Sequence, residues 1–252
     1  MTDAPAAGRR RIYLMRHGHV DYFAPEVIES GDPSQVRLTE DGRAQAAAAG
    51  GALAGVAFDI AVCSGLPRTV ETAELVLAAQ ENAPSLQTED GLVELRSGRF
   101  FTDRREELAA RLAYTFIAAA QEGATFLPDG ELFCDAYDRV SEAMERLLTT
   151  GDWKTGLVVA HEGVNRLLLG WATRGGLQAV GAFEQDLGCV NILDFDITPR
   201  ESGAGLQIER AIVKSVNVTP YDYTKAGMPR TSLEHLFDLD LSAELLREER
   251  HR

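Results

Sequence analysis

The sequence predicts an α/β protein: a mostly parallel sheet with helices packed on its faces and an inserted helical cap. Short apolar, β-branched runs alternate with longer helical patterns, the signature of helices laid on a sheet. The first three runs are apolar throughout, as strands buried on both faces tend to be. The helical stretch at 102–150, between the second and third sheet units, is longer than a crossover needs, so 100–135 reads as the cap.

The strands in order are "RIYLM" at 11–15, "DIAVC" at 59–63, "GLVVA" at 156–160, "VNILDFD" at 190–196 and "IERAIVKSV" at 208–216. Residues 1–10, "MTDAPAAGRR", are small and polar without periodicity and read as a flexible N-terminus. In "TEDGRAQAAAAGGAL", Thr39 is the expected N-cap, with two acids in the first turn. "LPRTVETAELVLAAQ" opens a helix with Pro67 in its first turn. Further helices are expected through "YDRVSEAMERLL" and "VNRLLLGWAT", and a solvated one in the tail "SAELLREERHR". "LAARLAYTFIAAA" at 108–120 reads as cap core or a homodimer face rather than a lipid-binding stripe.

A chain of 252 residues fits one domain with an inserted lid. Its net charge of −14 argues against nucleic-acid or anionic-membrane partners, which are bound through clustered Lys and Arg. No apolar run approaches the roughly 20 residues of a membrane-spanning helix, and the N-terminus lacks a signal-peptide pattern. The expectation is a cytoplasmic protein. Cys63, Cys134 and Cys189 are far apart and without metal-ligand spacing, and read as reduced, buried small side chains.

Three strands end alike. "YLM" runs into Arg16-His17-Gly18, "AVC" into Ser64-Gly65-Leu66-Pro67-Arg68, and "VVA" into His161-Glu162-Gly163. Ligands of open α/β sheets bind outside the carboxyl ends of the strands. Parallel neighbours would therefore bring two Arg and two His together as an anion site in an otherwise acidic protein. Arginine forks onto tetrahedral oxyanions, which lysine does less specifically, and none of the three lysines sits at these strand ends. Gly18, Gly65 and Gly163 are expected to let backbone N–H groups approach the anion. A neutral His beside a phosphate can act as nucleophile once its other ring nitrogen is fixed. Glu94 in "LVELRSGRF", expected at the end of a short strand, offers a proton source. Taken singly, these residues have plainer readings. Arg16 and His17 suit a strand-end pair satisfied by carbonyls, His161 a structural histidine, and Arg68 a first-turn residue paired with Glu71 or Thr72. His19 either lines a substrate entrance or replaces a missing phosphate contact, and His235 and His251 read as surface residues.

Together the residues resemble the histidine phosphatase superfamily, the phosphoglycerate mutase-like proteins. The signature is Arg-His-Gly at 16–18. "RLTEDGRAQA" at 37–46, "SGLPRTVETAEL" at 64–75, "LVELRSGRF" at 92–100, "PDGE" at 128–131 and "VVAHEGVNRLLLG" at 158–170 follow in the family's order. The resemblance implies a three-layer α/β/α sandwich with a mixed sheet. It implies that His17 becomes the phosphohistidine, that Arg16, Arg68 and His161 bind the transferring phosphoryl group, and that Glu94 is the proton donor. It implies no metal and no cofactor. The chain departs from the family where many members have a Thr or Ser and then an Asn, since Val20 and Phe23 stand there. It departs again after the acid, with Leu95, Arg96 and Ser97, and at Gly130-Glu131-Leu132. These departures favour a phosphatase over a mutase. The expected activity is that of a metal-independent phosphomonoesterase acting on a small phosphorylated metabolite. The alternatives are mutase-type transfer and a non-catalytic phospho-ligand binder. Reading His17-Gly18-His19 as an amidohydrolase metal pair needs a (β/α)₈ barrel and further ligands. "HEGVN" at 161–165 lacks the second His of H-E-x-x-H.

Overall fold

The computed structural model describes residues 7–98, 115–202 and 205–237. Residues 1–6, the cap residues 100–114 and the tail from 238 onward, with His251, lie outside the described residues. Six strands, β1 (Gly8–Arg16), β2 (Ile60–Cys63), β3 (Leu86–Thr88), β4 (Thr155–Ala160), β5 (Val190–Pro199) and β6 (Leu206–Val218), form one sheet in the order β3-β2-β4-β1-β5-β6. β3, β2, β4 and β1 run parallel, and β5 pairs antiparallel with both β1 and β6. The sheet is therefore open and mixed, not the closed barrel that the metal-pair reading needs.

Alternation along the strands sorts side chains to two faces. Ile12 and Leu14 of β1 and Val158 and Ala160 of β4 pack on α4 (Phe133–Thr149) and α5 (Glu162–Ala172). Tyr13, Met15, Leu157 and Val159 point the other way, onto α2 (Glu40–Leu53) and α3 (Pro67–Leu77), which follow the short helix α1 (Pro25–Ser30). The result is three layers, and full burial of residues such as Leu14 stabilises by about 1.5–3 kcal/mol each. Thr39 caps α2 by accepting from the Gly42 N–H at 3.1 Å, as its sequence predicts. The face that α2 turns inward is Gly42, Ala46, Ala49, Gly50 and Leu53. These small residues let α3 approach closely.

Two elements differ from expectation. β1 begins at Gly8 rather than Arg11, because Arg9 and Arg11 pair across the strands with Asp196 and Asp194 of β5, both at 2.7 Å. Arg10 on the other side donates to the Thr150 and Gly151 carbonyls and lies 4.6 Å over the Trp153 ring. Ion pairs, invisible to an apolar pattern, carry that strand end. In the described part of the expected cap, residues 116–132 run mainly as turns around an isolated bridge between Thr125 and Leu132. Phe116, Phe126 and Phe133 pack on one another there. Cys63 and Cys189 are buried as expected, but Cys134 is exposed, because it lies on the outer side of α4 next to the inward-facing Phe133.

Candidate active site

The register of the central strands places the site. Arg16 pairs with Ala160 and Cys63 with Val159, so His17, Ser64 and His161 leave adjacent parallel strands at one level. The His17 and His161 rings stand 5.3 Å apart, centroid to centroid. Arg16, His17, Arg68 and His161 are all at least 96% buried. The expected convergence is found.

His17 Nδ1 lies 2.8 Å from the Gly18 carbonyl oxygen. A carbonyl only accepts, so Nδ1 carries the proton and Nε2 keeps its lone pair. Burial first, then the nearby Arg68 and Arg16 charges, push the imidazole well below the usual histidine range. His17 is thus held neutral with a free nitrogen. His161 is pushed down in the same way, by burial first and then by Arg68. Its Nε2 bonds Ser64 Oγ at 2.8 Å, and Ser64 Oγ also meets Thr69 Oγ1 at 2.9 Å.

Arg68 does not pair with Glu71, which instead bonds Arg43 at 2.6 Å. Its guanidinium donates to the Ser34 carbonyl at 3.3 Å and lies 5.9 Å from the Tyr22 ring centroid. Arg16 donates to the Gln185 carbonyl and pairs with Glu162 Oε2 at 3.0 Å. Among the described residues, Arg16 Nε, Arg68 Nε and His161 Nδ1 are buried without a protein partner. Buried donors are nearly always satisfied, so the two guanidinium Nε–H groups beside the paired histidines mark a candidate site for an oxyanion.

Glu94 does not end a strand. It follows the 3₁₀ turn Asp90–Leu92, and Arg139 holds that loop by donating to the Gly91 and Val93 carbonyls at 2.8 and 3.0 Å. Arg139 is in turn braced by Glu131 at 2.9 Å, which gives the "PDGE" block a structural task. The Glu94 carboxylate accepts from the Leu95 N–H at 3.0 Å and the Gly163 N–H at 3.3 Å. Burial pushes its carboxyl above the usual range, against the pull of those N–H groups and Arg68.

The glycines work differently from expectation. The Gly18 N–H goes to Thr72 Oγ1 at 3.1 Å, and a Cβ at Gly18 would fall 2.3 Å from the Gly42 carbonyl oxygen. Gly65 has φ 85°, a left-handed conformation suited to glycine. At Gly163 a Cβ would fall 2.7 Å from Glu94 Oε1 and 2.8 Å from Leu95 Cδ1. Gly163→Ala gains about 1 kcal/mol of helix propensity and loses about 1–3 kcal/mol to overpacking. The melting temperature should therefore shift only modestly, while displacement of Glu94 lowers kcat at least about tenfold. An unchanged kcat would separate Glu94 from the chemistry.

His19 lies apart from the four. Its Nδ1 meets Thr39 Oγ1 at 2.8 Å, its N–H donates to Gln45 Oε1 at 2.9 Å, and its ring centroid is 6.0 Å from that of His235. Val20, in the position that departs from the family, is buried with Val36, Leu38 and Ala46. Ser64, Glu162 and Gln185 contact the site residues without having been given a role from the sequence, whereas Thr72, expected as a partner of Arg68, donates its hydroxyl to the Arg68 carbonyl at 2.7 Å. The Glu162–Arg166 pair at i,i+4 spacing was the one available signal.

An open α/β sheet with a neutral histidine, two arginines and a second histidine at its strand ends has the architecture of a phosphoryl-binding α/β protein. The chain belongs to branch 1 of the histidine phosphatase superfamily, whose family model matches residues 12–201. The adenosylcobalamin/alpha-ribazole phosphatase of Escherichia coli (strain K12) is 29% identical over 187 residues, covering 74% of this chain and 90% of that protein. The 2-carboxy-D-arabinitol-1-phosphatase of Triticum aestivum is 28% identical over 200 residues, 79% of this chain and 39% of that protein. Among solved structures, the alpha-ribazole phosphatase of Shigella flexneri superposes with TM-score 0.58 at 24% identity, covering 82% of this chain and 96% of that one. Mycobacterial glucosyl-3-phosphoglycerate phosphatase in complex with VO3 does so with TM-score 0.63 at 20% identity, covering 82% and 98%. These two likenesses establish the fold.

Proposed function

We propose that the protein is a metal-independent phosphomonoesterase that hydrolyses a small phosphorylated metabolite through a phosphohistidine at His17. The observation that carries this reading is the His17 tautomer, with Nδ1–H on the Gly18 carbonyl and Nε2 free beside Arg16 and Arg68. In the first step Nε2 attacks phosphorus, the P–N bond forms as the P–O bond breaks, and Glu94 gives its proton to the leaving alkoxide. In the second, the Glu94 carboxylate takes a proton from water, whose oxygen attacks phosphorus as the P–N bond breaks. Phosphate leaves and His17 is again neutral. Loose phosphoryl-transfer transition states need positioning and charge neutralisation more than covalent help. Arg16 and Arg68 supply the charge and, with His161, the positioning, so the mechanism calls for no metal. The relatives named above act on small phosphorylated compounds, which supports a substrate of that class.

A phosphate-release panel of small phosphorylated metabolites tests the reading. Vanadate, which resembles the five-coordinate transition state, should inhibit, and a chelator should leave the rate unchanged. Loss of activity in chelator would overturn metal independence, and inertness across the panel would leave the non-catalytic binder as the better reading.

A further inference from the structure

We propose that Glu162 is a positioning residue that holds Arg16 for phosphoryl binding, and that the helix α6 (Ser232–Phe237) holds Glu162 in turn; the proposal rests on reading the pocket as a phosphoryl site. Glu162 is 95% buried between two arginines. Its Oε2 takes Arg16 Nη2 at 3.0 Å, and its Oε1 takes Arg166 Nε at 3.1 Å and Nη2 at 2.8 Å. With the Gln185 carbonyl, this fixes the Arg16 terminal nitrogens and leaves Nε as its buried donor without a protein partner.

Ser232 closes the arrangement from outside the matched residues 12–201. Its N–H donates to Glu184 Oε1 at 2.7 Å and its hydroxyl to Glu162 Oε2 at 3.4 Å, while Glu184 Oε2 takes Arg166 Nη2 at 3.1 Å. Ser232, Leu233 and Glu234 are buried, and Leu236 packs on the cluster of Val20, Val36, Leu38 and Ala46, beside the Arg16–His19 loop. The helix thus braces both the loop that carries His17 and the carboxylate that aims Arg16.

A glutamine cannot replace Glu162. It offers one acceptor where two arginines each need one, and it turns an NH₂ toward a guanidinium that only donates. A misaimed Arg16 should cost about 10²-fold, the usual effect of small misplacements in a preorganised site.

The test compares wild type, Glu162→Gln and Ser232→Pro. Proline suits the first turn of a helix and removes both Ser232 donors without breaking α6. Three quantities are read: melting temperature, kcat and KM on an aryl phosphate, and vanadate Kd by calorimetry. Vanadate Kd and KM should rise about 10²-fold in Glu162→Gln and about tenfold in Ser232→Pro. A purely structural role would lower the melting temperature and leave vanadate Kd and KM within twofold of wild type, which overturns the proposal. Should Glu162→Gln fail to fold, Ser232→Pro decides alone. A wild type that binds vanadate yet releases no phosphate refutes the phosphohistidine reading, while the Kd comparison still decides the positioning role. A wild type that does not bind vanadate refutes both.

Discussion

Replacing His17 with alanine should abolish phosphate release, by at least about 10⁴-fold, while the protein stays folded. The side chain is buried but small, and its one hydrogen bond is to the neighbouring Gly18 carbonyl, so its loss leaves the sheet and the flanking helices intact. Arg16, Arg68 and His161 remain to bind phosphate, but no nucleophile remains to accept the phosphoryl group. Two measurements check this: single-turnover phosphate release, and labelling with a ³²P-phosphorylated substrate quenched in alkaline detergent. Wild type should carry acid-labile, base-stable label and the variant none. Label retained by the variant would move the nucleophile elsewhere, with His161 the first candidate.

Glu94→Gln should separate the two chemical steps. On an aryl phosphate the leaving group needs little protonation, so His17 is still phosphorylated, whereas deprotonation of water loses its base. The expected result is a burst of phenol equal to the enzyme, followed by turnover slowed about 10²–10⁴-fold. On an alkyl phosphate, where both steps need the carboxyl, no burst should be seen. The pH profile gives a second check. His17 works neutral and its pKa is lowered by burial, so kcat/KM should fall with decreasing pH only well below the usual histidine range. Glu94 works protonated in the first step and its pKa is raised by burial, so the alkaline limb should lie above the usual carboxylate range and vanish in the variant. A rate on alkyl phosphates that Glu94→Gln leaves unchanged would remove Glu94 from the mechanism.

The site was legible from the sequence to different depths. His17, Arg16, Arg68 and His161 stand directly after, or a few residues beyond, apolar strands, and parallel pairing of β1, β4 and β2 brings strand ends together whatever the loops do. Glu94 was legible only through the block around it. The short strand expected there is a 3₁₀ turn, because its position depends on Arg139 and Glu131, which come later in the chain. β3, at three residues, is too short to show a period. The start of β1 lacks apolar residues because ion pairs hold it.

By itself the sequence determined the α/β class, the parallel central strands, the capped helices and the four residues gathered at the strand ends. Each of these follows from patterns a few residues long, set by the periods of strand and helix and by local capping. The tertiary structure alone decided the His17 tautomer, the space that Gly163 leaves for Glu94, and the chain of contacts from Ser232 through Glu162 to Arg16. The last two depend on groups distant in the chain, Gly163 with Glu94 and Ser232 with Glu162 with Arg16, meeting at hydrogen-bonding distance, and no local period encodes such a meeting. Only packing both helical layers and α6 around one sheet brings them together.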